Sequence, residues 1–188
     1  MSTALNRSRA ATRLQFLALG VLMGAWGAHV PSIKSHHGLD EASLSFVLLA
    51  AALGAVSSLF MAGRVVARLG ARGTAALAAV LAGGLLSAVL VVQGLTALLP
   101  LAVVLGACMS LFDVALNTEG AALERLGGRP VMSHLHGMFS VGGMLGAGAV
   151  AALWKTGVPP GVQLGCLGLG VSLTALLAAR RMLLFLTG

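Results

Sequence analysis

SLSFVLLAAALGAVSSLFMAGRVV, from Ser43 to Val66, is the stretch that decides the fold. It contains one charged residue, Arg64, and as a helix it is long enough to cross the ~30 Å hydrocarbon core of a bilayer. Backbone groups in lipid have no water to bond, so a spanning segment must satisfy them within its own helix. The stretch therefore predicts a transmembrane helix.

Five further windows of the chain are comparably apolar and of similar length. Together with the first they predict six spans, near Leu14–Val30, Ser43–Val66, Thr74–Val92, Ala97–Asn117, Val131–Trp154 and Gly161–Ala179. The connections are short and carry turn chemistry. Pro31 is expected to close the first helix and Asp40 to cap the second. The remaining turn residues are Gly70, Gly73, Gly94, Gly127, Gly128, Pro130, Pro159 and Pro160.

The composition supports lipid as the solvent. Hydrophobic residues make up 58% of the 188 residues and charged residues 9%, against about 25% charged in a soluble domain. Tyrosine is absent and aromatics are 4%, which argues against a porin-like barrel with aromatic girdles. Cys108 and Cys166 each lie in an apolar run, where cysteine acts as a small hydrophobe. We predict no disulfide, no metal site and no cofactor.

The basic residues fall mainly on one side of the predicted spans. With the N-terminus in the cytoplasm, the outer loops hold only Lys34 and Lys155. The inner segments hold Arg7, Arg9, Arg13, Arg64, Arg68, Arg72, Arg125, Arg129, Arg180 and Arg181. Under the positive-inside rule this places both ends in the cytoplasm of a bacterial inner-membrane protein. It also explains the net charge of +7 without a nucleic-acid partner.

The chain divides into three predicted segments. Residues 1–13 form a cytoplasmic N-terminal segment, 14–181 the six-helix unit, and 182–188 the C-terminal end. The basic start followed by an apolar run resembles a signal peptide, but the run continues to Val30 and further spans follow. We predict an uncleaved first helix.

The connection between the second and third spans carries a recognisable motif. Gly63, Arg68, Gly70 and Arg72 match the pattern G-x-x-x-D-R-x-G-R-R of the major facilitator superfamily (MFS), so this connection resembles that family's gating loop. Ala67 stands where the family usually has aspartate. In the family this aspartate helps lock the outward-facing state, and this chain has no carboxylate there.

Three longer stretches narrow the resemblance. They are residues 24–34 (GAWGAHVPSIK), 113–117 (DVALN) and 128–143 (GRPVMSHLHGMFSVGG). They are similar to the bacterial YbjJ-like branch of the superfamily, which is distantly similar to fucose permeases. In that branch the position of His29 is commonly arginine and that of Glu119 glutamine. The resemblance implies an all-α membrane fold, the N-terminal half of an MFS transporter built from two inverted three-helix repeats.

The resemblance also implies a function. It suggests secondary active transport of a small polar solute such as a sugar, with proton coupling. Superfamily members have about twelve spans in two halves, and the solute site lies between them. Three explanations of a single half stay open: the chain is a fragment, it pairs with a separately encoded half, or it forms a parallel homodimer. A non-transporting membrane protein is a further alternative.

Ionisable residues within spans are candidates for function by default. Asp113 on the fourth helix and His136 on the fifth are predicted at similar depth, and consecutive helices with a short connection tend to be neighbours. Ser110, Asp113 and Asn117 share one helix face by their spacing. We expect either a proton-linked or solute-binding Asp113–His136 pair, or a structural pair at the cytoplasmic ends of the two helices.

Two other groups of polar or aromatic residues are candidates for function. Trp26 and His29 lie toward the outer end of the first helix, where the family lines its cavity. They are predicted either to contact the solute or to anchor the helix at the interface. His36 and His37 lie in the outer loop, and two histidines without a third ligand are weak grounds for a metal site.

An intramembrane enzyme is the rival from another class. Six-helix rhomboid-type proteases use a serine within a glycine pattern on the fourth helix and a histidine on the sixth. Here Ser110 lacks that pattern and the sixth span has no histidine. The sequence therefore predicts a transporter and not an enzyme.

Overall fold

The computed structural model describes residues 2–182, and every regular element in that range is an α-helix. The helices are α1 (Ser2–Ala28), α2 (Val30–His36), α3 (Glu41–Ala88), α4 (Gly94–Gly127), α5 (Met132–Lys155) and α6 (Pro160–Ala179). By length and apolar composition α3, α4, α5 and α6 are each able to cross a membrane, and α1 with α2 makes a fifth if that bent pair is one span. The predicted all-α membrane protein is confirmed. Residues 183–188 of the predicted C-terminal end lie outside the described residues.

Helix α3 is interrupted at one residue. Gly70 has φ 70° and ψ 164°, a backbone conformation that is essentially restricted to glycine and that no helix contains. It divides α3 into a first arm (41–69) and a second arm (71–88). The predicted count of six spans requires each arm to cross the membrane separately, and that count stays a prediction.

The first span bends where the chain passes from α1 to α2. The prediction that Pro31 closes the first helix is wrong by position, because α1 already ends at Ala28 and Pro31 lies in the first turn of α2. A proline is tolerated there because a first-turn N–H has no intrahelical partner to lose. The two helices meet at an angle of 45°.

The predicted cap of the second span is confirmed. The Asp40 carboxylate accepts the backbone N–H of Ser43 at 2.8 Å, at the start of α3. The Ser43 side chain and backbone together lower the pKa of this exposed carboxyl below its usual value. The cap therefore stays ionised through the physiological range.

The helices pack as close pairs, and some of these pairs are distant in the sequence. Helix α1 packs mainly against α5, and α3 against α4 and α6, with a smaller contact between α1 and α6. At the closest approaches a glycine faces the partner's backbone: a Cβ on Gly142 would overlap the carbonyl of Leu17, and one on Gly54 that of Val103. Small residues at such points let helix backbones approach closely.

The two ends of the bundle differ in charge. At one end, which we call the arginine-rich end, the start of α1 lies beside the end of α6 and contacts α4 through Ser8 and Glu119. At the opposite end, the α2 region contacts the end of α3, where the His37 ring nitrogen Nε2 bonds the Val89 carbonyl oxygen at 2.9 Å.

Candidate functional site

A cavity of about 600 Å³ lies between α1, the first arm of α3, α4 and α5. Most of its wall is apolar, and a few polar groups converge on it, as is typical of small-molecule sites. Four residues predicted from the sequence line it: Trp26, Ser110, Asp113 and His136. The other lining residues are Leu19, Met23, Leu48, Ala51, Ala52, Ala55, Gly106, Met109 and Phe139.

Helix α4 contributes the acidic group of the cavity. Ser110 and Asp113 are three residues apart and therefore face the cavity together. Asn117, one turn further, does not line the cavity. Its Nδ2 donates to the backbone carbonyl of Asp113 at 2.9 Å, and the same amide lies beside the Asp113 carboxyl group. Asn117 therefore supports Asp113 from the side of the arginine-rich end.

Helix α5 contributes the basic group. The His136 ring packs edge-on against Phe16 of α1, with ring centroids 5.5 Å apart and an interplanar angle of 70°. His136 interacts electrostatically with Asp113, but the ion pair found among residues 2–182 is a different one, between Lys34 and Glu41. Asp113 and His136 therefore share the cavity without direct ionic contact.

The separation of this pair has a cause in the packing. The expectation that α4 and α5 are close neighbours, because they follow each other in the chain, is wrong: α5 packs mainly against α1 and only marginally against α4. The pairing of α5 with α1 leaves a gap between α5 and α4. The cavity occupies that gap.

His29 follows Trp26 by one helical turn but does not line the cavity. It is fully buried at the junction of α1 and α2, and its Nδ1 lies 3.2 Å from the Ser32 hydroxyl. Its Nε2 has no hydrogen-bond partner among the described residues. Of the two, only Trp26 reaches the cavity. The structure does not bring His29 and Trp26 together at one site.

The four motif residues of the predicted gating loop surround the break in α3. Gly70 provides the break itself, and Arg68 and Arg72 flank it. Gly63 lies on the first arm with open space beside its Cα. These residues lie outside the cavity, and their predicted gating role stays a prediction.

Sequence reasoning missed several contacts around the cavity. Phe16, which positions the His136 ring, is fully buried on α1 and was not singled out. Leu19, Met23 and Trp26 recur at helical spacing along α1, a periodicity that could have identified the lining face. The buried bond from the Ser8 hydroxyl to Glu119, at 2.8 Å, joins two residues far apart in the chain, and no local pattern signals it.

The described residues offer no cluster for a metal ion. Among them, no three His, Cys, Asp or Glu side chains come close enough together to bind one. The loop histidines His36 and His37 stack edge-to-face, with ring centroids 4.9 Å apart. Cys108 is buried and Cys166 is exposed, and both are free thiols.

The chain is similar to curated membrane transporters over most of its length. It is 39% identical over 153 residues to an uncharacterized MFS-type transporter of Yersinia pestis, an alignment that covers 79% of this chain and 39% of that protein. It is 37% identical over 149 residues to an uncharacterized transporter of Sinorhizobium fredii, covering 76% of this chain and 38% of the relative.

A third relative is more distant. The membrane protein MosC of Rhizobium meliloti is 29% identical over 136 residues, which are 72% of this chain and 33% of MosC. No protein-family model matches the chain. No solved structure matches it. The chain thus spans between a third and two fifths of the length of these relatives, and over that part it is similar to them.

Proposed function

We propose that the chain forms one six-helix half of a secondary active transporter, which carries a small polar solute across the bacterial inner membrane. The observation that carries the proposal is the cavity, where Asp113, His136, Ser110 and Trp26 meet within apolar walls. The similarity to transporters of Yersinia pestis and Sinorhizobium fredii supports it. We assign no catalytic role to the cavity residues.

The six spans rest on the division of α3 at Gly70. A straight 48-residue helix is about 72 Å long, more than twice the thickness of the hydrocarbon core, so α3 is too long for one span. The first arm is about 43 Å and the second about 27 Å long, each close to or above the thickness of one bilayer core. Arg68 and Arg72 would hold the break at an aqueous surface.

The two inverted repeats are supported by equivalent glycine contacts. Gly142 of α5 faces the Leu17 carbonyl of α1, and Gly54 of the first arm faces the Val103 carbonyl of α4. The second arm and α6 meet symmetrically, because Gly83 and Gly168 each face the other's carbonyl. The equivalent residues are Leu17 and Val103, Gly54 and Gly142, and Gly83 and Gly168, and in each pair the second residue follows the first by nearly the same number of positions. This equivalence matches α1 with α4, the first arm with α5, and the second arm with α6.

In this proposal the polar groups of the cavity bind the solute and handle a proton. Asp113 and His136 lie across an open space, where water or a hydroxylated solute can bridge them. A proton can pass between a carboxylate and an imidazole when access to water changes. Trp26 offers an aromatic face to a sugar ring. The alternative, a purely structural pair, is disfavoured because the two groups make no direct ion pair.

A half-transporter needs a second six-helix unit to move against. The solute site of such carriers lies between two halves, and transport is the rocking of one half against the other. The partner is a second half, either on the same or a separate polypeptide, or a parallel copy of this chain. The proposed orientation, with both ends in the cytoplasm, is compatible with either, since the two halves share one orientation.

Uptake assays test the function and separate these partners. The chain is reconstituted in liposomes alone, or co-expressed with the C-terminal half of the Yersinia pestis relative, and internal acidification is followed on addition of neutral monosaccharides. We expect acidification by at least one form. Asp113→Asn should abolish it, while Thr118→Val, an exposed control on the same helix, should not. Solute-driven acidification that persists in Asp113→Asn would contradict a role of Asp113 in proton transfer.

Reporter fusions test the orientation separately. Fusions after Lys34 and after Arg68 should report opposite compartments: the fusion after Arg68 should report the cytoplasm and the fusion after Lys34 the outer side. Fusions that report the same compartment would contradict the six-span topology. The roles of the cavity residues would then have to be abandoned with it.

A further inference from the structure

The interface between α1 and α6 is open toward the arginine-rich end. A cavity of about 680 Å³ lies there between the start of α1 and the end of α6. Arg7 of α1, together with Arg180 and Arg181 just after α6, contributes three exposed positive charges. Thr3 and Asn6 add polar groups to the same wall.

These arginines have no counter-ion within the described chain. No carboxylate lines the cavity, and the ion pair of residues 2–182 joins Lys34 to Glu41 at the opposite end. The carboxylates nearest the arginine-rich end serve other contacts. Glu119 accepts the Ser8 hydroxyl, and Glu124 accepts backbone N–H groups at the start of α5. Among residues 2–182 the three exposed positive charges are therefore not paired with a carboxylate, and they are available to an anion that enters the cavity.

An apolar groove adjoins this cavity along the same interface. A second cavity of about 190 Å³ is lined from α1 by Leu14, Leu17, Ala18 and Val21, and from α6 by Cys166, Leu167, Gly170, Val171 and Thr174. Leu14 borders both cavities, so they adjoin along the same interface, and together we call them the α1–α6 seam. From Arg7 to Val21 the seam extends about 21 Å along α1, comparable to an extended acyl chain.

We propose that the α1–α6 seam binds an anionic phospholipid. Arg7, Arg180 and Arg181 hold the phosphate at headgroup level, and one acyl chain lies in the apolar groove below Leu14. Basic pockets between transmembrane helices on the cytoplasmic side suit such headgroups, and guanidinium groups bind phosphate oxygens with charge-assisted hydrogen bonds. A free phosphate would satisfy the arginines but leave the groove empty. A zwitterionic lipid would oppose them with its own positive charge.

The lipid is identified by direct binding to the purified full chain. Protein stripped of lipid in neutral detergent is titrated with a short-chain phosphatidylglycerol, with the matched phosphatidylcholine and with inorganic phosphate, and bound lipid is counted by native mass spectrometry. We expect phosphatidylglycerol to bind at least about 10-fold more tightly than phosphatidylcholine. Equal binding of the two lipids would overturn the proposal. So would inorganic phosphate that displaces phosphatidylglycerol at equal concentration.

Variants locate the site within the chain. The triple change Arg7→Gln, Arg180→Gln and Arg181→Gln should weaken phosphatidylglycerol binding at least about 10-fold. The control triple removes the same charge away from the seam, at Arg64, Arg125 and Arg129. Equal losses in the two triples would show attraction by overall charge and overturn the assigned site.

The groove is tested by filling it. Gly170 lines the groove and Gly165 does not, and both have open space where a side chain would begin. Gly170→Leu should therefore fold and weaken lipid binding, while Gly165→Leu on the same helix should leave it unchanged. Unchanged binding in Gly170→Leu would overturn the placement of the acyl chain.

Discussion

Helix α1 meets its two main neighbours in different ways. Against α5 it presents Gly20 and Gly24, and α5 presents Gly142 and Gly146, so that backbone faces backbone. Against α6 the contact is made by side chains. The buried Gln15 donates from Nε2 to the Ala175 carbonyl oxygen at 3.0 Å, and beside it the interface opens into the α1–α6 seam.

The difference separates a fixed contact from an adjustable one. A glycine contact between backbones has no side chain that can rotate away, so any added atom must move a helix. A contact made by side chains leaves gaps that a lipid can occupy and that new side chains can fill. The tight α1–α5 pair also leaves α5 apart from α4, which creates the central cavity.

The largest effect is expected where α1 and α5 are in closest contact. In Gly142→Leu the new Cβ overlaps the Leu17 carbonyl and lies 3.1 Å from the Gly20 Cα, so the helices must separate. We expect a loss of about 3 kcal/mol or more, at the upper end for overpacked sites. The measurement is thermal unfolding in detergent together with the yield of monodisperse protein.

Gly148→Leu is the matched control on the same helix. Its Cα faces open space, so the side chain adds no collision. Its unfolding temperature should stay close to that of the wild type. A similar loss in both variants would mean that glycine is needed on α5 for reasons other than the contact with α1.

The side-chain hydrogen bond between α1 and the buried carboxyl group of α4 should rank second. The Ser8 hydroxyl donates to the Glu119 carboxylate at 2.8 Å, and both residues are buried. Ser8→Ala should cost about 1–3 kcal/mol, because it takes a hydrogen-bond donor away from a buried carboxyl group. Thr12→Val removes only a bond to the carbonyl of Ser8 in its own helix and should cost less. Equal losses would show that the link to α4 adds nothing.

The helices were predictable because their signal is local. Apolar length predicted the spans, and Asp40 was identified as a cap from its position before an apolar run. A four-residue glycine spacing is only partly informative. Gly20 and Gly24, like Gly142 and Gly146, face a partner's backbone, whereas Gly161 and Gly165 both face open space and Gly168 makes the contact of α6 instead.

The partners of the helices were not predictable, because they depend on long-range packing. Order in the sequence suggested α4 as the neighbour of α5, whereas α5 packs on α1. The cavity residues Asp113 and His136 were nevertheless identified, since an ionisable group in an apolar span stands out in any packing. Phe16 and the seam went unrecognised because apolar residues carry no such signal.

The hydrogen bond of Gln15 with α6, beside the seam, should contribute less to stability than the bond between Ser8 and Glu119. Gln15→Leu removes the bond to Ala175, and hydrogen bonds between transmembrane helices average about 0.6 kcal/mol. We expect a loss of about 0.5–1 kcal/mol in detergent unfolding. A loss as large as that of Gly142→Leu would contradict the distinction between the two faces of α1.

The smallest effect concerns the start of α5, where Glu124 of α4 caps the helix. Its Oε1 accepts the N–H groups of Val131 at 2.7 Å and Met132 at 3.0 Å. Those N–H groups, first that of Met132 and then that of Val131, lower the pKa of Glu124 below its ordinary value of 4.5.

Because the lowered pKa belongs to the folded state, the capping stabilisation is fully present above the ordinary pKa and is lost as the pH falls through the lowered one. Glu124→Gln should therefore unfold only slightly below the wild type at pH 7, and the two proteins should converge as the pH falls below about 4.5. The measurement is the unfolding temperature of both across that range. A gap that stays constant down to pH 3 would mean that the ionised carboxylate does not hold α5, and that the glycine contact with α1 fixes this helix without help from its cap.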